Sequence, residues 1–257
     1  MLNAIVVFDI DGVIRDVAQS YRRAISDTVE HFTDGRYRAS MADIDNLKAE
    51  GIWNNDWEAS RELVYRYNES QGLARSKINI DFDILVRFFQ SRYRGTQADF
   101  SDGYISQEPL LLKPTYLEEL TRNNIAWGFF SGATRISAEY VLKQRLSLEK
   151  IVLAAMEDAP SKPDPTGLFS VVETLEKVKR LDCPIVYVGD TVADMYTVLE
   201  ARKIEPERRW IGVGILPPHI KTDAQQQENY TRKLKEAGSA IVLRSVEELT
   251  AETISEL

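Results

Sequence analysis

Six side chains carry the chemistry that this sequence can perform. Asp9 and Asp11 stand one residue apart where the apolar run from Ala4 to Phe8 ends, and Gly12 follows them. Two carboxylates at i and i+2 of a strand share a side, so both emerge at its carboxyl end. At about 4 Å and an effective dielectric near 20 they repel by roughly 4 kcal/mol. Such a pair needs a cation, a shared proton or a cationic substrate; an acidic Asp-Gly turn is the plainer alternative. Asp190 and Asp194 form a second pair, four residues apart, able to face one cavity if the segment is helical. Helix capping by aspartate explains one of them but not both. Lys162 stands in Ser161-Lys162-Pro163-Asp164-Pro165, whose two prolines stiffen the backbone and let the ammonium be aimed. Ser131 precedes Gly132, and a hydroxyl with nearby backbone N–H groups can receive an anion close to a helix start, or simply cap that helix.

The elements that must position these groups follow from apolar periodicity. The run up to Phe8 has little alternation and reads as a strand buried on both faces. Helical spacing then dominates over 17–32, 41–48, 57–69 and 82–93, with no convincing strand between Arg15 and Gly103. From Pro109 helices and strands alternate: helices over 115–123, 137–146, 166–180 and 192–202, strands over 125–130, 151–154, 184–188, 210–213 and 240–243, and a last helix opening at 246–249. A polar stretch between Pro217 and Ala237 reads as a solvated loop and helix. Alternation of this kind predicts an α/β fold, a Rossmann-like doubly wound parallel sheet. The first strand is separated from the rest of the sheet by an inserted all-α cap domain. The expected boundaries are 1–15 with 104–257 for the core and 16–103 for the cap. Asp9, Ser131, Lys162 and Asp190 then all fall at or beyond strand ends, where open α/β sheets bind ligands.

Composition narrows the partners. A net charge of −8 and a pI near 5.0 argue against nucleic acid or an anionic membrane as the main partner, while leaving room for a small anionic substrate at a local site. With two histidines, His31 and His219, a His-rich zinc site is not expected. The single cysteine, Cys183, suits a reducing compartment. The first residues lack a basic segment and a signal-type apolar stretch, and no run reaches transmembrane length, so a cytoplasmic location is expected. Nothing in the sequence sets an oligomeric state.

Taken in order, the segments 8–13, 130–135, 161–164 and 189–194 resemble the four motifs of the haloacid dehalogenase superfamily. The insert after the first motif resembles the helical cap of the subfamily that contains phosphoglycolate phosphatases and β-phosphoglucomutases. The resemblance implies a magnesium-dependent phosphatase acting on a small-molecule phosphate monoester through an aspartyl-phosphate. It makes Asp9 the nucleophile and Asp11 the general acid, then base. Ser131, Gly132 and Lys162 would bind the phosphoryl oxygens. Asp9, Asp190 and the Asp11 backbone carbonyl would hold Mg2+, and Asp194 would support the site through water or by orienting Lys162. Asp11 argues against a dehalogenase, whose halide leaving group needs no proton, and against the phosphonoacetaldehyde hydrolases, which lack this acid. Alternatives are a phosphomutase of the β-phosphoglucomutase type and a catalytically idle ligand-binding protein. Relatives often carry asparagine where this chain has Gly132.

Substrate choice is expected from the cap. Trp53, Asn54, Asn55 and Trp57 can form an apolar wall with polar tips facing a leaving group. The same residues also suit cap packing and helix capping. Arg15, Arg22 and Arg23 follow the nucleophile; one of them, with Arg15 as the candidate, is expected to meet a second anionic group on the substrate, while solvation or an ion pair accounts for at least two of the three. Cap movement about hinges near Arg15 and Gly103 would exclude water during transfer.

Overall fold

A computed structural model describes the chain except residues 1, 49, 51, 54, 177–181 and 221–223. Two compact units are formed, one from 1–16 with 109–257 and one from 17–108.

The first unit begins with β1 (Ala4–Phe8), whose five residues are all buried. The helical unit then supplies α1 (Tyr21–Phe32), α2 (Met41–Lys48), α3 (Asp56–Ser70) and α4 (Phe82–Tyr93). Back in the first unit come α5 (Pro114–Arg122), β2 (Ile125–Phe130), α6 (Arg135–Glu139), β3 (Leu153–Ala154), α7 (Thr166–Glu176), β4 (Ile185–Gly189), α8 (Val192–Ile204), β5 (Trp210–Ile215), α9 (Ala224–Glu236), β6 (Ile241–Leu243) and α10 (Ala251–Glu256). All the strands pair in parallel in the order β3-β2-β1-β4-β5-β6. That order reverses direction at β1, which is where such sheets leave a crevice beyond the strand ends. β4 and β5 are buried throughout, as β1 is, which is why their sequences are continuous apolar runs rather than alternating ones. Ile5, Val7 and Tyr187 from the central strands pack with Leu168 and Val172 of α7 and Val198 of α8.

In the helical unit α1 buries Ala24, Ile25, Thr28 and Val29, one face of a helix, and packs against α3 and α4. α4 buries Leu85, Phe89 and Tyr93 at four-residue intervals, and the Asp81 side chain caps it by accepting from the Ile84 N–H. Buried Glu62 of α3 accepts from Arg66 at 2.8 Å and from Arg75 at 3.0 Å, satisfying a charge that burial would otherwise penalise.

Several element limits differ from the sequence expectation for identifiable reasons. The first cap helix starts at Tyr21 rather than Val17, because the Ser20 N–H and hydroxyl both turn back to the Val17 carbonyl. The expected helix over 137–146 begins at Arg135 and changes to a π-helical turn at Tyr140–Arg145. The third strand pairs only at Leu153–Ala154, opposite Phe129 and Phe130. The expected helix over 166–180 is described as far as Glu176, and its remainder lies outside the described residues. Toward the end, Val246–Glu248 is a short 3-10 turn, and the helix proper begins at Ala251 with Thr250 as its cap. Residues 104–108, expected with the core, fall in the helical unit. There Tyr104 donates its hydroxyl to Asp27 of α1, and the Arg23 guanidinium lies 4.2 Å from its ring centroid.

Asn55 caps α3, its side-chain oxygen accepting from the N–H groups of Trp57 at 2.9 Å and Glu58 at 3.3 Å. Removing that acceptor in Asn55→Ala is expected to cost about 1 kcal/mol and to speed amide hydrogen exchange at Trp57 and Glu58, whereas Asn55→Asp retains the slow exchange.

Candidate active site

The sheet register decides which carboxylates meet. Phe8 of β1 lies opposite Val188 of β4, and the Asp9 N–H donates to the Val188 carbonyl at 2.8 Å. Asp9 and Asp190 therefore leave adjacent parallel strands side by side. Gly12 makes the approach possible. Its φ of +76° is one that residues with a side chain rarely adopt, and a Cβ there would stand 2.0 Å from Asp190 Oδ2.

Asp194 arrives by a different device. Thr191 is the N-cap of α8 and Asp194 is the third helical residue, and the two form a reciprocal capping box. Asp194 Oδ2 accepts from the Thr191 N–H at 2.9 Å and the Thr191 hydroxyl at 2.6 Å. Its Oδ1 accepts from the Lys162 ammonium at 2.7 Å and the Tyr187 hydroxyl at 3.1 Å. Both oxygens of this fully buried carboxylate are thus engaged, and Asp194 anchors Lys162 directly.

Lys162 is the cation that the acidic pair required. Its Nζ lies 2.9 Å from Asp9 Oδ1, off the direction of a hydrogen bond, and 5.3 and 5.5 Å from the ring centroids of Phe130 and Tyr187. Those π faces add a favourable interaction for a buried ammonium. Burial disfavours the charged lysine, but Asp194 and Asp9 outweigh that and hold it well above the usual lysine range. Burial likewise works against ionised Asp194, yet Lys162 and the Thr191 bonds keep its carboxyl below the usual range.

The other two carboxylates move the opposite way. Burial pushes Asp9 up to about 7; Lys162 opposes the rise, and Asp194 and Asp11 add to it. Asp190 is pushed upward by burial, then by Asp194 and Asp9, although part of its surface remains open to solvent, which moderates the effect. This is a site with more negative charge than one lysine neutralises. Asp9, Asp190 and Asp194 each offer an oxygen within 4.8 Å of the others. Asp194 has both oxygens engaged, whereas Asp9 Oδ1 is buried without a directed donor, so Asp9 and Asp190 are the pair that fits a divalent ion with a preference for hard oxygen ligands.

Ser131 follows β2 directly and is buried; its N–H donates to the Ala154 carbonyl, and its Oγ accepts from the Ala133 N–H at 3.1 Å. Beyond it Gly132 faces open space, with nothing within 4 Å of where a Cβ would stand. Asp11 is partly exposed and accepts from Arg15 Nε at 2.7 Å.

Arg15 departs from expectation. It is fully buried in the first unit and paired with Asp11, so it is not an arginine presented to substrate. Arg22 forms an ion pair with Asp45, and Arg23 lies over Tyr104, which commits both within the helical unit. Of the expected specificity residues, Asn54 lies outside the described residues. Asn55 caps α3, Trp53 donates its indole N–H to Glu50 at 2.9 Å, and Trp57 is half-buried in the first turn of α3. For Asn55 and Trp53 these contacts are those of a helix start, the packing and capping role that the sequence also offered. Tyr187 was not singled out from sequence. The available signal was a lone phenol in a buried strand, which needs a partner for its hydroxyl.

Residues 4–201 match the family of haloacid dehalogenase-like hydrolases. A curated relative, the imidazoleglycerol-phosphate dehydratase of Phytophthora nicotianae, is 28% identical over 242 residues, covering 92% of this chain and 49% of that protein. The chain thus spans about half the length of the curated relative it matches. Among solved structures, a phosphonoacetaldehyde hydrolase like protein from Oleispira antarctica superimposes with a TM-score of 0.67 at 17% identity, over 99% of this chain and 92% of that one. CbbY from Rhodobacter sphaeroides, solved in complex with phosphate, gives 0.65 at 16% identity over 100% of both chains. At these identities the two structures establish the fold. With the family match running from β1 into α8 and a six-stranded parallel sheet that carries all four motif segments, the chain belongs to the haloacid dehalogenase-like hydrolases.

Proposed function

We propose that this hydrolase is a magnesium-dependent phosphatase that cleaves a small phosphate monoester through a phosphorylated Asp9. The observation that carries the reading is the grouping of Asp9, Lys162 and Asp190 at the crevice, with a second carboxylate, Asp11, two residues beyond the nucleophile. Asp9 attacks phosphorus, the P–O bond to the leaving group breaks, and Asp11 gives that oxygen its proton. Water then attacks the phosphorus of the acyl phosphate. Asp11 takes the water's proton, and the P–O bond to Asp9 breaks to release inorganic phosphate. Lys162, Ser131 and the Gly132 N–H hold the non-bridging oxygens, while Asp194 keeps Lys162 in place. Asp9, Asp190 and the Asp11 carbonyl would hold Mg2+, which when bound supplies charge neutralisation as the two anions meet.

The presence of Asp11 supports an ester whose leaving oxygen needs a proton. The name of the dehydratase relative contains such an ester, imidazoleglycerol phosphate. That compound and histidinol phosphate therefore head a substrate panel that also includes phosphoglycolate and sugar phosphates. Phosphate release over this panel with Mg2+ is expected for the wild type and is expected to fall by at least about 10³-fold in Asp9→Asn. A Mg2+-dependent fluoroberyllate adduct on Asp9 is the matching structural readout. Undiminished turnover in Asp9→Asn overturns the mechanism, and conversion of a sugar phosphate to its isomer without phosphate release indicates the mutase instead.

The raised Asp9 and Asp190 carboxyls also set a pH dependence. In the metal-free protein they bind protons more tightly when folded than when unfolded, so stability falls as pH rises from about 4 through 7. Carboxyls held below their usual range, such as Asp194, lose their contribution only under more acidic conditions. In chelator, the melting temperature is expected to be higher at pH 5.5 than at pH 8. Added Mg2+ is expected to raise it more at pH 8, because the ion competes with protons for the same oxygens. Thermal unfolding at the two pH values, with and without Mg2+, checks both signs.

A further inference from the structure

Arg15 is among the largest fully buried side chains of the protein. A guanidinium removed from water is costly unless paired, and this one directs Nε to Asp11 Oδ1 at 2.7 Å. The backbone on either side is equally constrained. The Arg15 carbonyl accepts from the Gly12 N–H at 2.9 Å, and Arg15 bridges both Asp11 and Leu110 in short ladder contacts. Its neighbours complete the tie: the Leu111 N–H donates to the Ile14 carbonyl and the Asp16 N–H to the Pro109 carbonyl, each at 2.8 Å. Arg15 is therefore fixed at the point where the two segments leading to and from the helical unit run together. Asp11, by contrast, keeps 34% of its side chain exposed. A rigid, buried cation grips one oxygen of a carboxylate whose remainder reaches outward.

We infer that Arg15 is a positioning residue for the proton-transferring carboxyl, holding Asp11 by Oδ1 so that Oδ2 meets the leaving oxygen. This inference rests on the phosphatase reading above. Arginine suits the task because it stays protonated at any working pH, so it orients the carboxyl without competing for the transferred proton. Its short hold through Nε also fixes direction more closely than a flexible lysine would. The role differs from substrate binding: Arg15 acts through Asp11 and touches no reacting atom.

The test compares two esters on the same sample. β-Glycerophosphate leaves as an alkoxide and needs a proton, whereas p-nitrophenyl phosphate leaves as a stable phenolate and needs little help. kcat/KM reports the step that phosphorylates Asp9, and the ratio of the two values cancels any unfolded fraction. Arg15→Met is expected to lower kcat/KM for β-glycerophosphate about 10²-fold more than for p-nitrophenyl phosphate. In an Asp11→Asn background the same substitution is expected to leave the ratio unchanged, since the group it positions is gone. Arg15→Lys, which keeps the buried charge, provides a second variant should the methionine protein not fold, and is expected to shift the ratio in the same direction by less. Equal losses on both esters, or a shift in the ratio that persists in the Asp11→Asn background, overturn the positioning role. Wild-type protein that releases phosphate from neither these esters nor any member of the substrate panel overturns the phosphatase reading itself, an outcome distinct from either of those.

Discussion

The ammonium of Lys162 is the fixed point of the site. It lies 2.7 Å from Asp194 and 2.9 Å from Asp9, within a buried region that holds Asp190 as well. One positive charge cannot compensate three carboxylates of which two are buried and the third, Asp190, is only partly open to solvent. The division is unequal: Asp194 takes the better hydrogen bond to lysine and stays ionised, while Asp9 and Asp190 are left wanting a second cation. This inequality separates a structural acid from two acids available to a metal. In the proposed reaction, it means that an Asp9 buried this deeply relies on an added cation before it attacks phosphorus.

The sheet makes that arrangement possible without help from long-range loops. Parallel neighbours β1 and β4 deliver Asp9 and Asp190 from strand ends in a fixed register, and β2 delivers Ser131 from the other side of β1. Lys162 is the exception, arriving from the loop between β3 and α7. Its position is enforced by what surrounds it, namely a capped helix terminus that presents Asp194 and two aromatic rings, Phe130 and Tyr187. Tyr187 further joins the parts by placing its hydroxyl 3.1 Å from Asp194 Oδ1 and 3.2 Å from the Phe130 carbonyl.

Much of this was legible in the sequence because strand ends and acidic spacing are local signals. The apolar runs before Asp9 and Asp190 named their strands, and the order of the motif segments identified the family whose sheet the structure displays. Arg15 is harder to read, because an arginine just after the motif resembles a solvent-facing one; its burial goes with non-local contacts such as the backbone bridge to Leu110, which local spacing does not reveal. Asn55 was ambiguous for the opposite reason. An asparagine before a helix reads equally well as a cap and as a ligand group, and the hydrogen bonds to Trp57 and Glu58 decide between them. The capping box at Thr191 and Asp194 was visible as a Thr-x-x-Asp spacing. What spacing could not show was that the capping carboxylate would use its other oxygen to hold the site's lysine.

That shared carboxylate has a consequence for how inherited variation in this chain will look. The first turn of α8 cannot fray without loosening the lysine, so folding of that turn and readiness of the crevice are a single cooperative event. A substitution at Thr191, which touches neither Lys162 nor Asp9 in the bonds described, would imitate a catalytic lesion. Conversely, a change at Asp194 removes the cap bonds to Thr191 and the hold on Lys162 together. In this corner of the molecule, durability and turnover are one trait.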